Sequence, residues 1–326
     1  MAATRQLLAE TVVWYQSQAW APTTNKTYAS QIKAYYAFCR QYNFIPVPAP
    51  PQQLSYYIAH LGRRLSYASI KQYLNAVRLL HESAGTQAPL HEFSVRLTLR
   101  GLKRVKGDCP NRKAPITPQL LFRLLQNLDL SRPLHAAVYA AGLTLFFGVL
   151  RRANLIPPID APFDNSRHLR RRDVTINNSG ATLLIRWTKT NQFRNKITIL
   201  PLPRLPGHLL CPTQAIKHYF DLTSTADPDG PAWVIPGRKG LTPITPRQFV
   251  TVVKAALKDY STNIGGHSFR RGGATWLRQC GVDIPLIKEI GDWATDAYMR
   301  YVVTPSSNIG QTIRVAAQTL PNYPQN

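Results

Sequence analysis

The chain has 326 residues, 44% of them hydrophobic, so it is long enough for two domains with their own cores and too apolar to be a disordered tail. It carries 40 Lys and Arg against 16 Asp and Glu, which gives a formal net charge of +24. Such an excess attracts polyanions by long-range steering and counterion release. A generally basic protein, such as a ribosomal or membrane-surface protein, is the alternative that charge alone leaves open.

Both halves of the chain are basic. Residues 1–110 contain 13 basic and 4 acidic residues, an excess of nine, and residues 111–326 contain 27 and 12, an excess of fifteen. A DNA-binding module attached to a neutral effector would concentrate the charge in one half. We therefore expect both halves to contact the nucleic acid.

Cysteine usage and apolar runs bear on the compartment. The chain has four cysteines: Cys39, Cys109, Cys211 and Cys280. They are far apart and lack metal-ligand spacing, which predicts a reducing compartment with neither a zinc site nor a disulfide framework. The N-terminus has no basic stretch followed by an apolar core, and the apolar run 136–150 is shorter than the ~18–20 residues that span a bilayer. We expect no membrane association, and localisation in the nucleus of a eukaryotic host or otherwise in the cytoplasm.

The first hundred residues predict helices. Apolar residues recur at helical spacing in three stripes, which begin after Thr24, a plausible N-cap, after a proline-rich break at 46–51, and after Ser66 or Ser69. The stripes contain Tyr28, Ile32, Tyr35 and Cys39; Leu54, Ile58, Leu61 and Leu65; and Ile70, Leu74, Val77 and Leu80. They indicate a small helical bundle over residues 1–106.

A basic segment, residues 100–115, ends in a proline. It predicts a linker, residues 107–115, that crosses the DNA backbone and joins two domains; an ordinary solvated connection is the alternative. Thr117 and Pro118 supply an N-cap and a first-turn proline for the next helix. The second domain is therefore predicted to begin near residue 116.

The run 136–150 predicts a buried helix whose end delivers Arg151 and Arg152. A guanidinium is costly to bury unless an anion pairs with it, so these arginines are candidates for holding a phosphate. An arginine pair that only caps the helix dipole is the alternative. Downstream, the β-branched and apolar segments 182–187 and 196–200 flank a polar connection and predict a hairpin. The proline-rich segment from Pro201 to Pro206 predicts the end of the sheet.

The richest stretch for chemistry is residues 265–303. In one helix, His267 and Arg270 would lie a turn apart on one face and could hold one anion. The indole of Trp293 and the phenol of Tyr301 follow. Phosphoryl transfer needs an in-line nucleophile, cations on the equatorial oxygens and a proton for the leaving oxygen, and a phenolate can be that nucleophile.

These motifs resemble the tyrosine recombinases of the phage integrase family over about residues 20–303. The resemblance is carried by His267-x-x-Arg270, by the terminal Tyr301, and by Gly148-Val-Leu-Arg151-Arg-Ala-Asn-Leu, where the family has G-L-R-x-S-E-L. The Gly-Asp-Trp and Arg-Tyr motifs are most similar to those of recombinases from eukaryotic transposable elements of the DIRS and Crypton type.

The resemblance implies a mainly α fold in two domains. Residues 1–106 would form a helical core-binding domain. Residues 116–326 would form an α+β catalytic domain with a small antiparallel sheet and a C-terminal tail from Thr304 that docks on a neighbouring protomer. The implied partner is double-stranded DNA, bound by a homodimer on each site and a homotetramer in the synapse.

The resemblance also implies the reaction. Tyr301 would attack a DNA phosphodiester to give a 3′-phosphotyrosine and a free 5′ hydroxyl, with no metal or other cofactor. Arg151 and Arg270 would bind the phosphate, His267 would shuttle a proton or donate to the phosphate, and Lys189 would protonate the leaving oxygen. Trp293 would complete the site through its indole N–H. A DNA-binding descendant that no longer cuts, and a type IB topoisomerase, are the alternative functions.

Two assignments in the first part of the site stay open. Arg152 competes with Arg151, because Asn154 stands where the family usually has an acid that orients the arginine. Lys196 competes with Lys189 for the role of general acid, since both lie in or beside the predicted hairpin.

Two assignments near the C-terminus also stay open. Tyr298 lies three residues before Tyr301 and is the rival nucleophile. Counting back from Tyr301, the histidine or tryptophan of the family falls on Asp292 rather than on Trp293. A carboxylate would repel the phosphate, so we expect Asp292 to point away and Trp293 to occupy the position.

Basic side chains outside the reacting centre are predicted to contact the DNA backbone. They lie on the first bundle, in the basic segment and in the run 167–172: Lys26, Arg63, Arg64, Lys71, Lys103, Arg104, Lys106, Arg170, Arg171 and Arg172.

Overall fold

A computed structural model describes residues 2–108, 112–158, 162–189, 191, 197–260, 263–293 and 295–302. The chain divides into two compact units, Met1–Asn111 and Arg112–Asn326. Each unit has its own hydrophobic core.

The described part of the first unit contains five helices: α1 (Ala2–Ser17), α2 (Pro22–Gln41), α3 (Pro51–Gly62), α4 (Tyr67–Ser83) and α5 (Phe93–Lys106). Tyr35, Tyr57, Ile58 and Val77 are fully buried where α2, α3 and α4 meet. The predicted stripes are therefore the faces of these helices that point into the core.

Helix ends in the first unit follow local chemistry. The N-cap of α2 is Ala21, three residues before the predicted cap Thr24, and the helix begins at Pro22 because a proline at the first helical position loses no hydrogen bond. Of the two candidate caps for α4, Ser66 is the N-cap, and its hydroxyl accepts a hydrogen bond from the backbone N–H of Ser69 at 3.3 Å. Residues 100–106 of the basic segment are helical, since α5 continues to Lys106.

The second unit combines helices with two small sheets. Its described helices are α6 (Pro118–Gln126), α7 (Pro133–Phe147), α8 (Arg152–Leu155), α9 (Pro212–Leu222), α10 (Pro246–Ala256), α11 (Gly266–Gln279) and α12 (Ile284–Ile290). The strands are β1 (Val174–Ile176), β2 (Gly180–Ile185), β3 (Thr198–Pro203), β4 (Val234–Gly237) and β5 (Gly240–Pro243). Two 3₁₀ helices, Arg171–Asp173 and Asp296–Arg300, complete the elements.

The larger sheet is antiparallel in the order β1-β2-β3. The predicted hairpin is β2 and β3, with Leu183 opposite Leu200, whereas β1 and the β4-β5 pair were not predicted. We expected Pro201 and the residues after it to end the sheet, and that was wrong. Pro201 and Pro203 lie within β3 because β3 is an edge strand, where a missing N–H breaks no ladder.

The α7 helix is the central element of the second core. Its residues from Ala136 to Phe146 are all buried, which confirms the prediction of a buried helix here. The α11 helix approaches its neighbours closely at two glycines: a Cβ at Gly273 would lie 2.0 Å from the carbonyl oxygen of Phe146 in α7, and one at Gly272 would lie 1.9 Å from that of Ile116, before α6. Glycine is therefore required at both positions for these contacts.

The predicted fold class, mainly helical with a small antiparallel sheet, is confirmed. None of the helices in the described ranges is long and apolar enough to cross a membrane.

Candidate active site

The start of α11 sets the first two groups of the site. His267 and Arg270 are three residues apart in this helix, as the spacing predicted. The close contacts at Gly272 and Gly273 fix the axis of α11 against its neighbours, so the position of Arg270 follows from backbone packing rather than from a flexible loop.

Arg270 is the centre of the site. Its side chain is 1% exposed, and its guanidinium donates to the carbonyl oxygens of Val149 at 2.7 Å and of Gly291 at 2.6 Å. The guanidinium carbon lies 3.8 Å from the ring centroid of Trp293 and 5.2 Å from that of Tyr301. Its Nε atom is buried without a hydrogen-bond partner in the described residues.

The electrostatics of Arg270 are unusual for an arginine. Burial, and then the positive charge of Arg151, lower its pKa to about 9, against the opposing influence of Tyr301 and Asp292. Among the ion pairs of the described residues, none joins Arg270 to a carboxylate. A buried cation of this kind favours the approach of an external anion.

Arg151 lies between the buried helix and α8. After α7 the chain turns through Val149, which has a φ of 48°, and Arg151 becomes the N-cap residue of α8. We expected Asn154 to remove an orienting partner. Instead, its Oδ1 atom accepts the backbone N–H of Arg151 at 3.0 Å and its Nδ2 atom donates to the carbonyl oxygen of Trp187 at 3.4 Å. Asn154 therefore orients the backbone at Arg151 and connects it to the end of β2.

Arg152 has a different environment from Arg151. Its side chain packs beside Gly266 at the start of α11, where a Cβ would lie 3.1 Å from the Cδ atom of Arg152. Burial lowers its pKa, and its Nε atom is buried without a partner in the described residues. Arg151 lowers the pKa of both His267 and Arg270. Arg152 lowers the pKa of His267 but is not among the main causes of the lowered pKa of Arg270. This difference favours Arg151 as the arginine that faces the same anion as Arg270.

His267 is exposed at the mouth of the site, with its ring centroid 6.2 Å from that of Tyr301. Partial desolvation of the ring lowers its pKa, and four nearby cations lower it further: Arg270, Arg152, Arg151 and Lys189. These influences show that residues from α8, α11 and the turn after β2 converge on His267.

Lys189 follows β2 in an exposed position, but the residues beside it are buried. Thr188 is 3% and Asn191 is 5% exposed, and the backbone N–H of Asn191 donates to the carbonyl oxygen of Thr188 at 3.1 Å. The rival lysine, Lys196, lies outside the described residues.

Asp292 and Trp293, the two candidates for the position of the family's histidine or tryptophan, differ in their contacts. Trp293 is 7% exposed and stacks on Arg270, so it both packs in the core and borders the site. Its predicted indole donation to a phosphate stays a prediction. Asp292, with a φ of 51°, accepts a hydrogen bond from the Thr188 hydroxyl at 2.6 Å, so this carboxylate is directed toward the turn before Lys189.

The two tyrosines also differ. Tyr298 is 8% exposed and belongs to an apolar cluster with Val149, Ala274 and Ile287. Tyr301 is half-buried, and its ring centroid lies 5.2 Å from that of Trp293. Its ring therefore borders Arg270, His267 and Trp293.

The predicted DNA contacts of the first unit lie on its surface. All of them are exposed: Lys26, Arg63, Arg64, Lys71, Lys103, Arg104 and Lys106. Two of these are also held within the unit, because Lys103 pairs with Asp108 at 2.9 Å and Lys106 donates to the carbonyl oxygen of Leu65 at 3.1 Å.

The predicted DNA contacts in the run 167–172 have a different environment. Arg170 pairs with Asp173 at 3.0 Å and with Asp229 at 3.3 Å, and Arg172 pairs with the same Asp229 at 2.5 Å. Arg171 is buried and donates to the hydroxyl of Thr223 at 2.9 Å. This environment favours a structural role for Arg171 and leaves exposed Arg172 as the best placed of the three for DNA contact.

Sequence reasoning missed the polar residues that hold the site together. Asn154 was noted only for the acid it replaces, and Thr188 was treated as part of a polar turn. A Thr-x-x-Asn pattern at a strand end is a signal for a side-chain-capped turn, but its partner Asp292 lies 104 positions away. No local pattern predicts that contact. Within the described residues, no group of three His, Cys, Asp or Glu side chains is placed to hold a metal ion.

Part of the chain matches a known protein family. Residues 164–303 match the phage integrase family. The integrase/recombinase xerD homolog of Selenomonas ruminantium is 25% identical over 277 residues, which cover 81% of this chain and 76% of the relative. The recombinase cre of Escherichia phage P1 is 22% identical over 323 residues, which cover 91% and 89%.

Solved structures share the fold. A lambda integrase dimer bound to a COC′ core site aligns with a TM-score of 0.58 at 13% identity, covering 98% of each chain. The Tn1549 transposon integrase in complex with circular intermediate DNA aligns with a TM-score of 0.56 at 15% identity, covering 95% of this chain and 98% of the other. Residues 164–303 of the chain therefore match the phage integrase family, and over most of its length the chain is similar to two recombinases and shares the fold of these integrases.

Proposed function

We propose that the protein is a site-specific DNA recombinase that cuts and rejoins DNA strands through a covalent phosphotyrosine. The observation that carries this proposal is the convergence of a buried Arg270 with His267, Trp293 and the ring of Tyr301. Within the described residues no carboxylate forms an ion pair with Arg270, and a phosphodiester would supply the missing negative charge.

In the proposed reaction the phenolic proton of Tyr301 passes to His267, the Tyr301 oxygen bonds to the phosphorus, and the bond from phosphorus to the 5′ oxygen breaks. Arg151 and Arg270 bind the non-bridging oxygens and stabilise the charge that develops on them. Lys189 gives a proton to the leaving 5′ oxygen, and His267, kept neutral by its lowered pKa, passes a proton or donates to the phosphate. A second strand's 5′ hydroxyl then reverses the step. Because the bond energy is kept in the phosphotyrosine, this route needs neither ATP nor a metal.

The environment of the two tyrosines supports Tyr301 as the nucleophile. A phenol can attack only if its oxygen reaches the phosphate and its phenolate is stabilised by cations. Tyr301 borders the guanidinium of Arg270 and the imidazole of His267, whereas Tyr298 is buried in an apolar cluster beside Lys288.

The partner in this proposal is double-stranded DNA, held by a homodimer on each site and by a homotetramer in the synapse. The dimer of lambda integrase on a core site supports the first of these assemblies. The exposed basic residues of the first unit, with Arg172 in the second, would contact the phosphate backbone. We also propose that the protein is related to the recombinases of DIRS and Crypton elements and acts in a eukaryotic nucleus. This finer part of the proposal rests on the Gly-Asp-Trp and Arg-Tyr motifs.

A duplex that is nicked beside its cutting site tests the proposal, because the freed end leaves and traps the covalent intermediate. Duplexes that the protein selects from a random library serve as substrates. The wild-type chain and Tyr298→Phe should form an adduct that survives denaturing electrophoresis, and Tyr301→Phe should form none.

The alternatives predict other results. If the wild-type chain binds tightly and forms no adduct, it is a DNA-binding protein that does not cut. If Tyr301→Phe still forms the adduct and Tyr298→Phe does not, the nucleophile is Tyr298. Relaxation of a supercoiled plasmid without strand exchange would favour a type IB topoisomerase.

A further inference from the structure

Thr188 is a buried residue whose hydroxyl makes two polar contacts with other described residues. The hydroxyl donates to the Asp292 carboxylate at 2.6 Å and accepts the backbone N–H of Asn191 at 3.0 Å. At 3% exposure, Thr188 cannot exchange these bonds for water. Its neighbour Lys189 is exposed, so the direction from which the lysine enters the site depends on how Thr188 is held.

Asp292 occupies the middle of a segment that also holds Arg270. The carbonyl oxygen of Gly291 accepts from the Arg270 guanidinium at 2.6 Å, and the Trp293 ring stacks on it at 3.8 Å. The backbone of Asp292 is in the left-handed region, with a φ of 51°. In this conformation one tripeptide binds Arg270 through its flanking residues and Thr188 through its central side chain.

A second connection reaches the same turn from the other arginine. Asn154 accepts the backbone N–H of Arg151 and donates to the carbonyl oxygen of Trp187, the residue before Thr188. Asn191 donates from its side chain to the carbonyl oxygen of Arg186 at 3.3 Å. The turn that carries Lys189 is therefore tied to the backbone at Arg151 and to the segment that binds Arg270.

We propose that Asp292 and Thr188 are positioning residues that set Lys189 for proton transfer to the leaving 5′ oxygen. This inference rests on the proposed function of the site. The spacing in the family would place a hydrogen-bond donor to the phosphate at Asp292. In this proposal the Asp292 carboxylate instead acts through Thr188 on the general acid Lys189 and does not touch the substrate. A proton donor must lie within hydrogen-bond reach of the leaving oxygen, so a small displacement of the turn slows only the step that needs the proton.

Replacing the leaving oxygen with sulfur separates this role from a structural one. A thiol has a pKa of about 8.5, far below that of an alcohol, so a 5′ thiolate leaves without being protonated. Nicked duplexes with a bridging 5′ oxygen or a bridging 5′ sulfur would be compared by the single-turnover rate of adduct formation. Lys189→Ala is the benchmark for loss of the acid, and Arg151→Ala is the benchmark for loss of phosphate binding.

The variants remove the contact with little change in shape. Thr188→Val replaces the hydroxyl with a methyl group, whereas Thr188→Ser keeps the hydroxyl. Asp292→Gly removes the carboxylate and allows the positive φ. Thr182→Val, in the middle of β2, is the matched control for a Thr-to-Val change. Thermal unfolding and DNA affinity are measured for each variant, to show that it folds and binds.

We expect Thr188→Val and Asp292→Gly to slow cleavage of the oxygen substrate about 10- to 100-fold and to cleave the sulfur substrate nearly as fast as wild type. Thr188→Ser and Thr182→Val should resemble wild type on both. Equal slowing on both substrates would overturn the proposal in favour of a structural or phosphate-binding role, and wild-type rates on both would show that the contact has no role. If the wild-type chain forms no adduct on either substrate, the proposed function fails and this inference falls with it.

Discussion

Two groups of arginines in the second unit differ in what neutralises them. The first, which we call the arginine run, comprises Arg170, Arg171 and Arg172; the second, the arginine site, comprises Arg151, Arg152 and Arg270. In the arginine run two members pair with aspartates, and the buried member has backbone, hydroxyl and ring partners in Phe220 and Thr223.

Within the part of the chain that the structure describes, the arginine site has no such neutralisation. Its members form no ion pair with a carboxylate within the described residues, and two of them, Arg152 and Arg270, have buried Nε atoms without a partner there. The positive charge of Arg151 lowers the pKa of Arg270, and all three arginines lower the pKa of His267. Coulomb repulsion between them costs free energy in the absence of an anion, and a bound phosphate would remove that cost.

This comparison teaches that the number of arginines in a segment does not identify a functional site. Asp173, which is 1% exposed, neutralises Arg170 of the arginine run: burial opposes its ionisation, but hydrogen bonds from Arg170 and Arg186 lower its pKa. Arg170 is held by this buried, ionised partner, and Arg171 is held by the neutral acceptors and the ring described above. The arginines of the arginine site form no ion pair within the described residues and remain available for a ligand.

The largest expected effect is on catalysis by the arginine site. Arg270→Ala should slow adduct formation about 10³-fold, because it removes donors to the phosphate oxygens in a site shielded from water. Arg270→Lys, which keeps the charge but loses the planar pair of donors, should still be slowed about 100-fold. Single-turnover adduct formation on nicked duplexes measures both rates.

A control is needed because Arg270 also holds two backbone carbonyls. Variants are compared below their own unfolding temperature, with circular dichroism to show that each is folded. Rates for Arg270→Lys within about threefold of wild type would mean that Arg270 serves the fold alone.

The next effect is on stability through the arginine run. Arg171→Ala should lower the free energy of unfolding by about 2–4 kcal/mol, because it strands the polar groups of Phe220 and Thr223 and removes a guanidinium that lies 3.4 Å from the Phe220 ring centroid. Below its unfolding temperature, the variant should form adduct at nearly the wild-type rate. Urea denaturation followed by circular dichroism gives the free energies.

Arg172→Ala is the matched control, since its exposed pair with Asp229 is worth at most about 1 kcal/mol. An equal loss for Arg171→Ala and Arg172→Ala would remove the distinction between the buried and the exposed member of the run. A loss of adduct formation by folded Arg171→Ala would assign the run to the reaction instead.

The smallest expected effect is a pH dependence from His267. Its pKa is lowered in the folded chain, so the unfolded chain binds a proton first as the pH falls below about 6.5, and the folded state loses stability there. Between pH 7.5 and 5.5 the Tm of the wild-type chain should fall by about 1–2 °C more than that of His267→Gln. Differential scanning calorimetry measures the difference.

Bound DNA should reduce this dependence, because a phosphate beside the ring favours the charged imidazole. His91→Gln, at an exposed histidine of the first unit, should leave the pH dependence of the Tm as in wild type. If His267→Gln also leaves it unchanged, the cations of the arginine site do not act on this ring.

Several features of the fold follow from local patterns in the sequence. The three-residue step from His267 to Arg270 places them on one helix face whatever the rest of the chain does, because the helix repeat is local. The buried α7, the cap at Ser66 and the β2-β3 hairpin were likewise predicted from neighbouring residues in the sequence. The short strands β1, β4 and β5 were missed, since three or four residues carry too little alternation to be recognised.

The sequence by itself determined a basic, mainly helical chain in which an imidazole and a guanidinium share one helix face near two phenols. Only the tertiary structure decided which arginines are neutralised, which tyrosine borders the cations, and that Asp292 reaches Thr188 from 104 positions away. The physical reason is that pairing and burial depend on neighbours brought together by the packing of α7 and α11 and by the sheet. Periodicity gives the direction of a side chain on its own element, but not the group that it meets there.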